Sequence, residues 1–487
     1  MQTTLFRVDI TQGKSCLVQC AANKSELLQK SKEINIPVHG PISITLMAKY
    51  FIDNKYFQRL NKLKQLGTCD FIFPGAIHTR FEHSIGTYYL AGRLMNRIKM
   101  ESDNNKIIEW LNKIPELKSH YESKNNQQGL NSWIIELVKI AALCHDLGHG
   151  PYSHLFDDVF IKRSSLKNHP LARHEQRSCM LVKKIVEESN MLSQCMTDDD
   201  VTFIQSLIDP NKKNTGFIYQ IVSNNSNDLD VDKIDYLSRD PLHCGIKSSF
   251  DFFRLIESVL VIDDRITYPE QAKYDIHELF KTRHSMHCRV YCHKGVISAQ
   301  FIIIEIMMII DKILNIAESI LNPEIFNKMT DSYILNYMEF ILEMKNNENN
   351  PFKDKLVEKD YADLEILQKR LQTHNLYVHI GTITTREQFD VKKYFDDNNH
   401  VIFNTKIGFV SGNKLNPLDN IYIYTTKDLT MYGLDTQAHK ISKTDISFII
   451  PEVYQEYVTM VFRRDRELKG ILGDKELFQS IKDDIKK

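Results

Sequence analysis

The decapeptide His145-Asp-Leu-Gly-His-Gly-Pro-Tyr-Ser-His154 decides the fold of this 487-residue chain. Ahead of it, Ile134, Leu137, Val138, Ala141 and Leu143/Cys144 recur at the helical period, which predicts an amphipathic helix after Ser132. Glycine and proline in Gly148-His-Gly-Pro151 predict its stop. Three imidazoles and a carboxylate thus cluster at a helix end and in the turn beyond it. Desolvated histidines and carboxylates must find partners, and together they suit a divalent metal that polarises phosphate oxygens. The stretch points to chemistry.

Outward from it the texture is helical from about Lys32, with polar loops at Ser123–Gly129 and Ser223–Asp228. Phe301 to Ile316 is apolar on nearly all sides and predicts a buried core helix. A boundary is expected near Lys345-Asn-Asn-Glu-Asn-Asn-Pro351. Beyond it Leu376–Ile380, Val401–Phe403 and Asn420–Tyr424 alternate like strands, and Phe448-Ile-Ile450 reads as a strand or a helix start. The expected division is an extension over 1–31, a helical core over 32–345 and a smaller mixed α/β lobe over 346–487. The fold class is mainly α.

Composition excludes several classes. Hydrophobic residues make up 42% and charged residues 26%, ordinary values for a globular protein. A formal net charge of -1 gives no global field for nucleic acid, so such a partner needs a local patch. The nine cysteines follow no disulfide spacing; Cys16/Cys20 and Cys288/Cys292 are four apart, but no histidine or cysteine pair completes a zinc set. Reduced thiols in an intracellular compartment, cytoplasm or nucleus, are expected. The N-terminus lacks a signal-peptide pattern. The longest apolar run, Phe301 to Ile310, carries Glu305 and is too short for a bilayer, so no membrane partner is expected.

A His-Asp dipeptide alone is close to chance. Its flanks are not: Phe73-Pro-Gly-Ala-Ile-His-Thr-Arg80-Phe-Glu-His83-Ser lies upstream and Asp230-Val-Asp232-Lys233-Ile-Asp-Tyr236-Leu-Ser-Arg-Asp240 downstream. With Gln58-Arg-Leu, Lys64-Gln-Leu-Gly67, His174-Glu-Gln176 and Thr282-Arg-His-Ser-Met-His287, the chain resembles the HD-domain phosphohydrolase superfamily. More narrowly it resembles the deoxynucleoside-triphosphate triphosphohydrolases, nearest the vertebrate members that join a SAM domain to an HD domain. The match runs from about Lys32 to Ile310 and weakens across the C-terminal third. It begins too early in the chain for a SAM domain to be expected before it.

The resemblance implies that His83, His145, Asp146 and Asp232 hold a divalent metal: iron, manganese, zinc or, less readily, magnesium. Magnesium bound with the triphosphates is a further expected cofactor. His149, His154, Asp157 and His174 would line the attacked phosphorus, with His154, backed by Asp157, protonating the departing sugar oxygen. Hydrogen-bonding to the metal ligands from behind, to orient them, is the alternative role for these histidines. Arg80 is three residues before His83, so on a helix both face the same way, and its guanidinium suits phosphate oxygens.

Two further rows are legible without the resemblance. Asp232, Tyr236 and Asp240 stand at i, i+4 and i+8, and so do Arg283, His287 and Tyr291. On a helix each row makes one face spanning about 12 Å, enough to join a phosphate-bound metal to the far edge of a sugar; the plainer alternative is a solvated or core face. The resemblance assigns Lys233, Tyr236 and Arg283 to phosphates, Gln65 and Asp240 to the 3′-hydroxyl, Leu66 to the base and Tyr291 to exclusion of a 2′-hydroxyl. Cys292 replaces the family's glutamine, which points to a different base preference.

Nucleotide effectors and a homo-oligomer, dimer or tetramer, are implied as well, with the C-terminal lobe as the regulatory and assembly region. Matching effector positions are Lys32, Asn35, Asp53, Gln58, Phe73, Asp251, Arg254, Arg289, His293 and Lys294. Asn61 stands where an arginine beside guanine is expected, and Pro269 and Gln271 where two basic residues are. A lost charged hydrogen bond costs on the order of 1.5–3 kcal/mol, so altered guanine dependence is expected. Hydrolysis of another phosphate ester, and a nucleotide-sensing or single-stranded nucleic-acid-binding role, stay open from sequence.

Overall fold

The computed structural model describes residues 24–122, 129–248, 252–408, 416–433, 436–441 and 454–486. After a helical turn over 24–27 comes a hairpin, β1 (Lys30–Ile36) antiparallel to β2 (Gly40–Thr45), with Ile34 opposite Ile42. The helical texture expected from Lys32 therefore begins later, at Leu46. The cause is local. Ile34 and Ile36, then Ile42 and Ile44, alternate with polar residues, which is the period of a strand with one buried face. Leu27, near the end of the expected extension, is already buried in the core.

Helices follow: α1 (Arg80–Glu101), α2 (Ser132–Cys144), α3 (His174–Glu188), α4 (Val231–His243), α5 (Lys273–Met286), α6 (Lys294–Leu314), α7 (Asp331–Met344) and α8 (Glu358–Gln372). α2 forms where the periodicity puts it. The Asn131 side chain accepts from the Ile134 N–H at 2.9 Å to start it, and it ends ahead of Gly148. α1 packs along α2 and α4 packs against α1, so three helix ends converge. The apolar run expected over 301–316 forms α6 as far as Leu314, where Asn315 takes a left-handed C-cap (φ 48°).

The strands beyond are β3 (Leu260–Ile262), β4 (Arg265–Pro269), β5 (Val378–Thr385), β6 (His400–Gly408), β7 (Tyr422–Tyr424), β8 (His439–Lys440) and β9 (Gln455–Arg463). The runs at 376–380, 401–403 and 420–424 all contribute strand. β9 is flanked by antiparallel β5 and β6, and α9 (Leu468–Lys486) lays Phe478 and Ile481 on that sheet. β4 pairs with β3 and, in parallel, with β7. α8 packs on α6 and α7, and one hydrophobic core runs from Leu27 to Phe462, so packing continues across the polar turn after Met344.

The chain is mainly α with small sheets. Residues 223–228 form a loop as expected. Phe448-Ile-Ile450, the first 23 residues and 123–128 of the other loop lie outside the described residues. No disulfide joins any of the described cysteines. No described helix is long and apolar enough to cross a membrane.

Candidate active site

The convergence of α1, α2 and α4 gathers four donors. His83 Nε2 lies 3.1 Å from Asp232 Oδ1 and 3.4 Å from Asp146 Oδ2. His145 Nε2 lies 3.4 Å from an oxygen of each. Each imidazole has committed its other nitrogen: His83 Nδ1 to Asp235 at 2.8 Å, His145 Nδ1 to the Ala142 carbonyl at 2.7 Å. With Nδ1–H as the donor, the Nε2 lone pairs face the carboxylates, and both Nε2 atoms are buried without a hydrogen-bond partner. Such spacings match donors held about 2.0–2.2 Å from one ion. The cluster can hold a divalent metal, and its nitrogen–oxygen donor set suits iron, manganese or zinc more than magnesium.

The electrostatics favour a cation between these groups, whether a proton on Nε2 or a metal ion in its place. Burial disfavours a charged His83, but Asp232, Asp235 and Asp146 outweigh it and push its pKa up to about 10. Burial likewise opposes ionised Asp146, yet Arg80, His145 and His149 hold it well below the usual carboxylate range. Asp232 is lowered in the same way by His145 and His83. The site is a sink for positive charge.

Asp235 was not singled out from sequence. It is fully buried and accepts from His83, from His39 at 2.6 Å and from Arg239 Nε and Nη2 at 2.9 Å each. Gly86 makes room for it: a Cβ there would sit 2.0 Å from Asp235 Oδ1. A carboxylate three residues after Asp232 and four before Arg239 was the available signal.

Past Cys144 the backbone proceeds by single turns. Gly148 lies under α3, where a Cβ would meet the His174 carbonyl at 2.0 Å. Tyr152 (φ 59°) and Ser153 (φ 61°) are both left-handed, a conformation that costs non-glycine residues energy. Asp331 accepts from the Tyr152 N–H at 2.6 Å, and Ser153 Oγ donates to the Lys64 carbonyl while accepting from Arg80 Nε at 2.9 Å. Two buried arginines hold the turn's carbonyls. Arg59 donates to Leu147 and His149, and Arg177 to Gly148. Arg59 lay unremarked in the quoted Gln58-Arg-Leu; nothing in the sequence flagged Arg177 or Asp331.

This turn stacks His149 on His174 with ring centroids 3.9 Å apart, and His154 meets the His149 ring edge-on at 5.0 Å. Burial, Arg80 and His174 push the His149 pKa down to about 3. Asp157 is not behind His154. It lies 3.1 Å from His149 Nδ1 and 3.4 Å from His174 Nδ1, and pairs with fully buried Arg177. The carboxylate beside exposed His154 is Asp158, at 3.5 Å. The cause is the pull of buried Arg177, which with His149 and His174 takes Asp157 inward, while Asp158 stands one ordinary helical turn (i+4) from His154.

The Asp232, Tyr236, Asp240 row lies on α4. The second row begins on α5 at Arg283, but His287 and Tyr291 fall in a π-helical turn over His287–Tyr291, so it is not one regular α-face. The rows meet where Tyr291 donates to Asp240 at 2.7 Å. Asp240 also accepts from His78 at 2.8 Å. Leu66 packs in the same apolar group as Tyr291, and the buried Gln65 Oε1 has no hydrogen-bond partner. Arg80 pairs with Asp146 beside the metal donors. Lys233 lies 3.5 Å from Asp228 and from Asp230. Burial raises Tyr236 to about 12, and burial with Arg283 lowers His287 to about 3. Arg283 Nη1 donates to the Gly408 carbonyl at the end of β6.

The HD domain family model matches residues 80–240, the span from Arg80 to Asp240. A putative HD domain-containing protein, L394, of Acanthamoeba polyphaga mimivirus is 33% identical over 91% of this chain and 95% of its own length. The Dictyostelium discoideum deoxynucleoside triphosphate triphosphohydrolase SAMHD1 homolog is 33% identical over 90% of this chain and 78% of its own. The human deoxynucleoside triphosphate triphosphohydrolase SAMHD1 is 30% identical over 92% and 72%. The chain belongs to the SAMHD1 family.

The positions that SAMHD1-family resemblance assigned to effectors fall into small local contacts. Lys32 on β1, which also carries Asn35, pairs with Asp53 at 2.7 Å. Gln58 accepts from Asn61 at 3.2 Å. Phe73 meets the His293 ring edge-on at 5.7 Å, beside exposed Lys294. Arg254 lies 3.6 Å from Asp275, and Arg289 is exposed. Asp251 lies outside the described residues. Of the replacing residues, Pro269 pairs with Tyr424 across the β4–β7 ladder and Gln271 donates to Thr426 at 3.3 Å.

Proposed function

We propose that this SAMHD1-family protein hydrolyses deoxynucleoside triphosphates to the deoxynucleoside and inorganic triphosphate. The observation that carries the reading is α4: Asp232 faces the unpartnered His83 and His145 nitrogens, while Asp240, two turns on and about 12 Å away, is tied to Tyr291. A helix of that design suits a ligand with phosphates at one end and a sugar at the other. The relatives named as triphosphohydrolases support it.

A divalent ion held by His83, His145, Asp146 and Asp232 supplies a Lewis acid for the phosphate oxygens. Arg80, beside Asp146, adds fixed positive charge to the α-phosphate. Lys233, Tyr236 and Arg283 grip the outer phosphates, Gln65 and Asp240 the 3′-hydroxyl, and Tyr291 closes the 2′ side beside Leu66. His149, neutral in its stack with His174, orients the attacked group. His154, beside Asp158, gives its proton to the departing 5′-oxygen.

Nucleotide-driven assembly belongs to the same proposal, with residues 346–487 as the regulatory lobe and with guanine dependence weakened by Asn61, Pro269 and Gln271. Ion-exchange analysis of products from an equimolar four-dNTP mixture, with and without GTP, tests both parts. Triphosphate as the product, and its loss in a folded Asp232→Ala protein, are expected. Pyrophosphate as the product would overturn the reaction, and strict GTP dependence would overturn the altered regulation.

A further inference from the structure

Sequence spacing offers Cys288 no histidine or cysteine pair to complete a zinc set, but the fold supplies other donors. His284, near the end of α5, lies one turn before Cys288, and Glu456 reaches the pair from β9. His284 Nε2 is 3.6 Å from Cys288 Sγ and 3.4 Å from Glu456 Oε1, and one donor atom of each residue lies within 4.8 Å of the other two. Tetrahedral zinc, with bonds of about 2.0–2.1 Å to nitrogen or oxygen and 2.3 Å to sulfur, separates nitrogen from sulfur by about 3.6 Å and nitrogen from oxygen by about 3.4 Å.

We propose that His284, Cys288 and Glu456 form a second divalent-metal site, of zinc preference, that fastens the substrate-facing helix α5 to the C-terminal sheet. The donor set is soft where the HD site is hard: imidazole, thiolate and carboxylate favour zinc over magnesium or calcium. Cys288 is exposed and its two partners are half-buried, so an ion has a route in without displacing packed side chains. Three protein donors leave a fourth position for water. On binding, a zinc–sulfur bond forms and the thiol proton leaves to solvent.

Placement gives the site its consequence. His284 adjoins Arg283, and Cys288 lies in the π-helical turn that carries His287 and Tyr291. Across the sheet Glu456 pairs with Ile407, and the next residue, Gly408, receives Arg283. An ion here would brace the same sheet end that already holds a phosphate-facing arginine.

The test uses the full chain stripped of metal and reloaded with Co²⁺ or Zn²⁺. Expected are a metal equivalent beyond the HD site and, with Co²⁺, a near-ultraviolet thiolate-to-cobalt charge-transfer band that an all-nitrogen-and-oxygen HD site does not give. Cys288→Ser should abolish the band and one equivalent. Cys292→Ser should keep both, Asp232→Ala should keep the band while losing the HD-site equivalent, and Glu456→Gln should weaken binding at least tenfold. Melting of metal-free Cys288→Ser at the wild-type temperature shows that it is folded. No band at saturating cobalt, a band that survives Cys288→Ser, or one lost in Cys292→Ser instead would overturn the site. A band insensitive to Glu456→Gln would overturn the bracing of helix to sheet.

Discussion

Asp235→Asn is the sharpest perturbation of the metal end, because it leaves all four donors in place and changes only what stands behind one. Asp235 has two oxygens and four donors aimed at them: His83 Nδ1 and Arg239 Nε at one, His39 Nε2 and Arg239 Nη2 at the other. An amide replaces one oxygen with an NH₂ that must face two donors. If the NH₂ takes the His83 side, nothing fixes the His83 tautomer, and Nε2 is no longer committed to the metal. Loss of such a backing carboxylate costs about 10- to 100-fold in metal affinity, or about 1.4–2.7 kcal/mol. The variant also weakens pairing of buried Arg239, which retains the Pro37 carbonyl at 3.2 Å and Glu82 at 3.7 Å, so part of the roughly 3–5 kcal/mol for breaking a buried pair adds to the global loss. A metal titration separates the two effects. The metal-free melting temperature reports the Arg239 loss, and the gain on adding metal follows RT ln(1 + [L]/Kd). At one saturating concentration that gain should shrink by the same 1.4–2.7 kcal/mol. An undiminished gain would refute the view that Asp235 sets the tautomer of His83.

Three more outcomes follow from particular contacts. His154→Gln should lower kcat by about 10²–10⁴-fold. Asp158→Asn should reproduce a part of that with unchanged melting, whereas Asp157→Asn should chiefly destabilise the fold, since Arg177 loses its partner; equal kinetic and thermal effects of the two would contradict this division between the two carboxylates. Tyr291→Ala should cut the kcat/KM preference for dGTP over GTP by more than tenfold, read in a two-substrate competition. Burial raises the Asp331 pKa to about 6 despite its bonds from Tyr152 and Lys64. With the folded value above the unfolded one, its contribution is full below about pH 4 and is lost as pH rises through about 6, a change of about 3 kcal/mol. Asp331→Asn should remove that slope from denaturation curves measured across the window.

Much of the candidate metal cluster was legible because its signals are short-range. The helix into His145 has a clean period, and the Asp232, Tyr236, Asp240 row lies on one helix. The onset of helix was misread at Lys32, since four isoleucines in alternation are a strand signal that the surrounding lysines and prolines obscured. The backing of His154 by Asp157, implied by the resemblance, does not form because buried Arg177 and the stacked His149 and His174 take Asp157 instead. Arg59, Arg177 and Asp331 were silent for another reason. They bind backbone groups of the decapeptide turn from remote segments, and a residue that satisfies a carbonyl or an amide leaves no pattern at either end.

The breaking of α2 after Cys144 then has a physical rationale. In a continuous helix His145 and His149 would share one face at one-turn spacing and crowd the same ion, and His154 would point elsewhere. Instead Leu147 and His149 donate back three residues, to Cys144 and Asp146, and the chain bends twice through left-handed Tyr152 and Ser153. Each such residue costs of order 1–3 kcal/mol, a strain offset by Asp331, Arg80, Arg59 and Arg177 bonding the turn. What the strain achieves is separation. His145 keeps its Nε2 on the metal donors, His149 slides onto His174 over Asp157, and His154 reaches solvent beside Asp158. One decapeptide thereby sets one imidazole among the carboxylates of the candidate metal cluster and another at the solvent edge, the two settings that the proposed reaction asks of them.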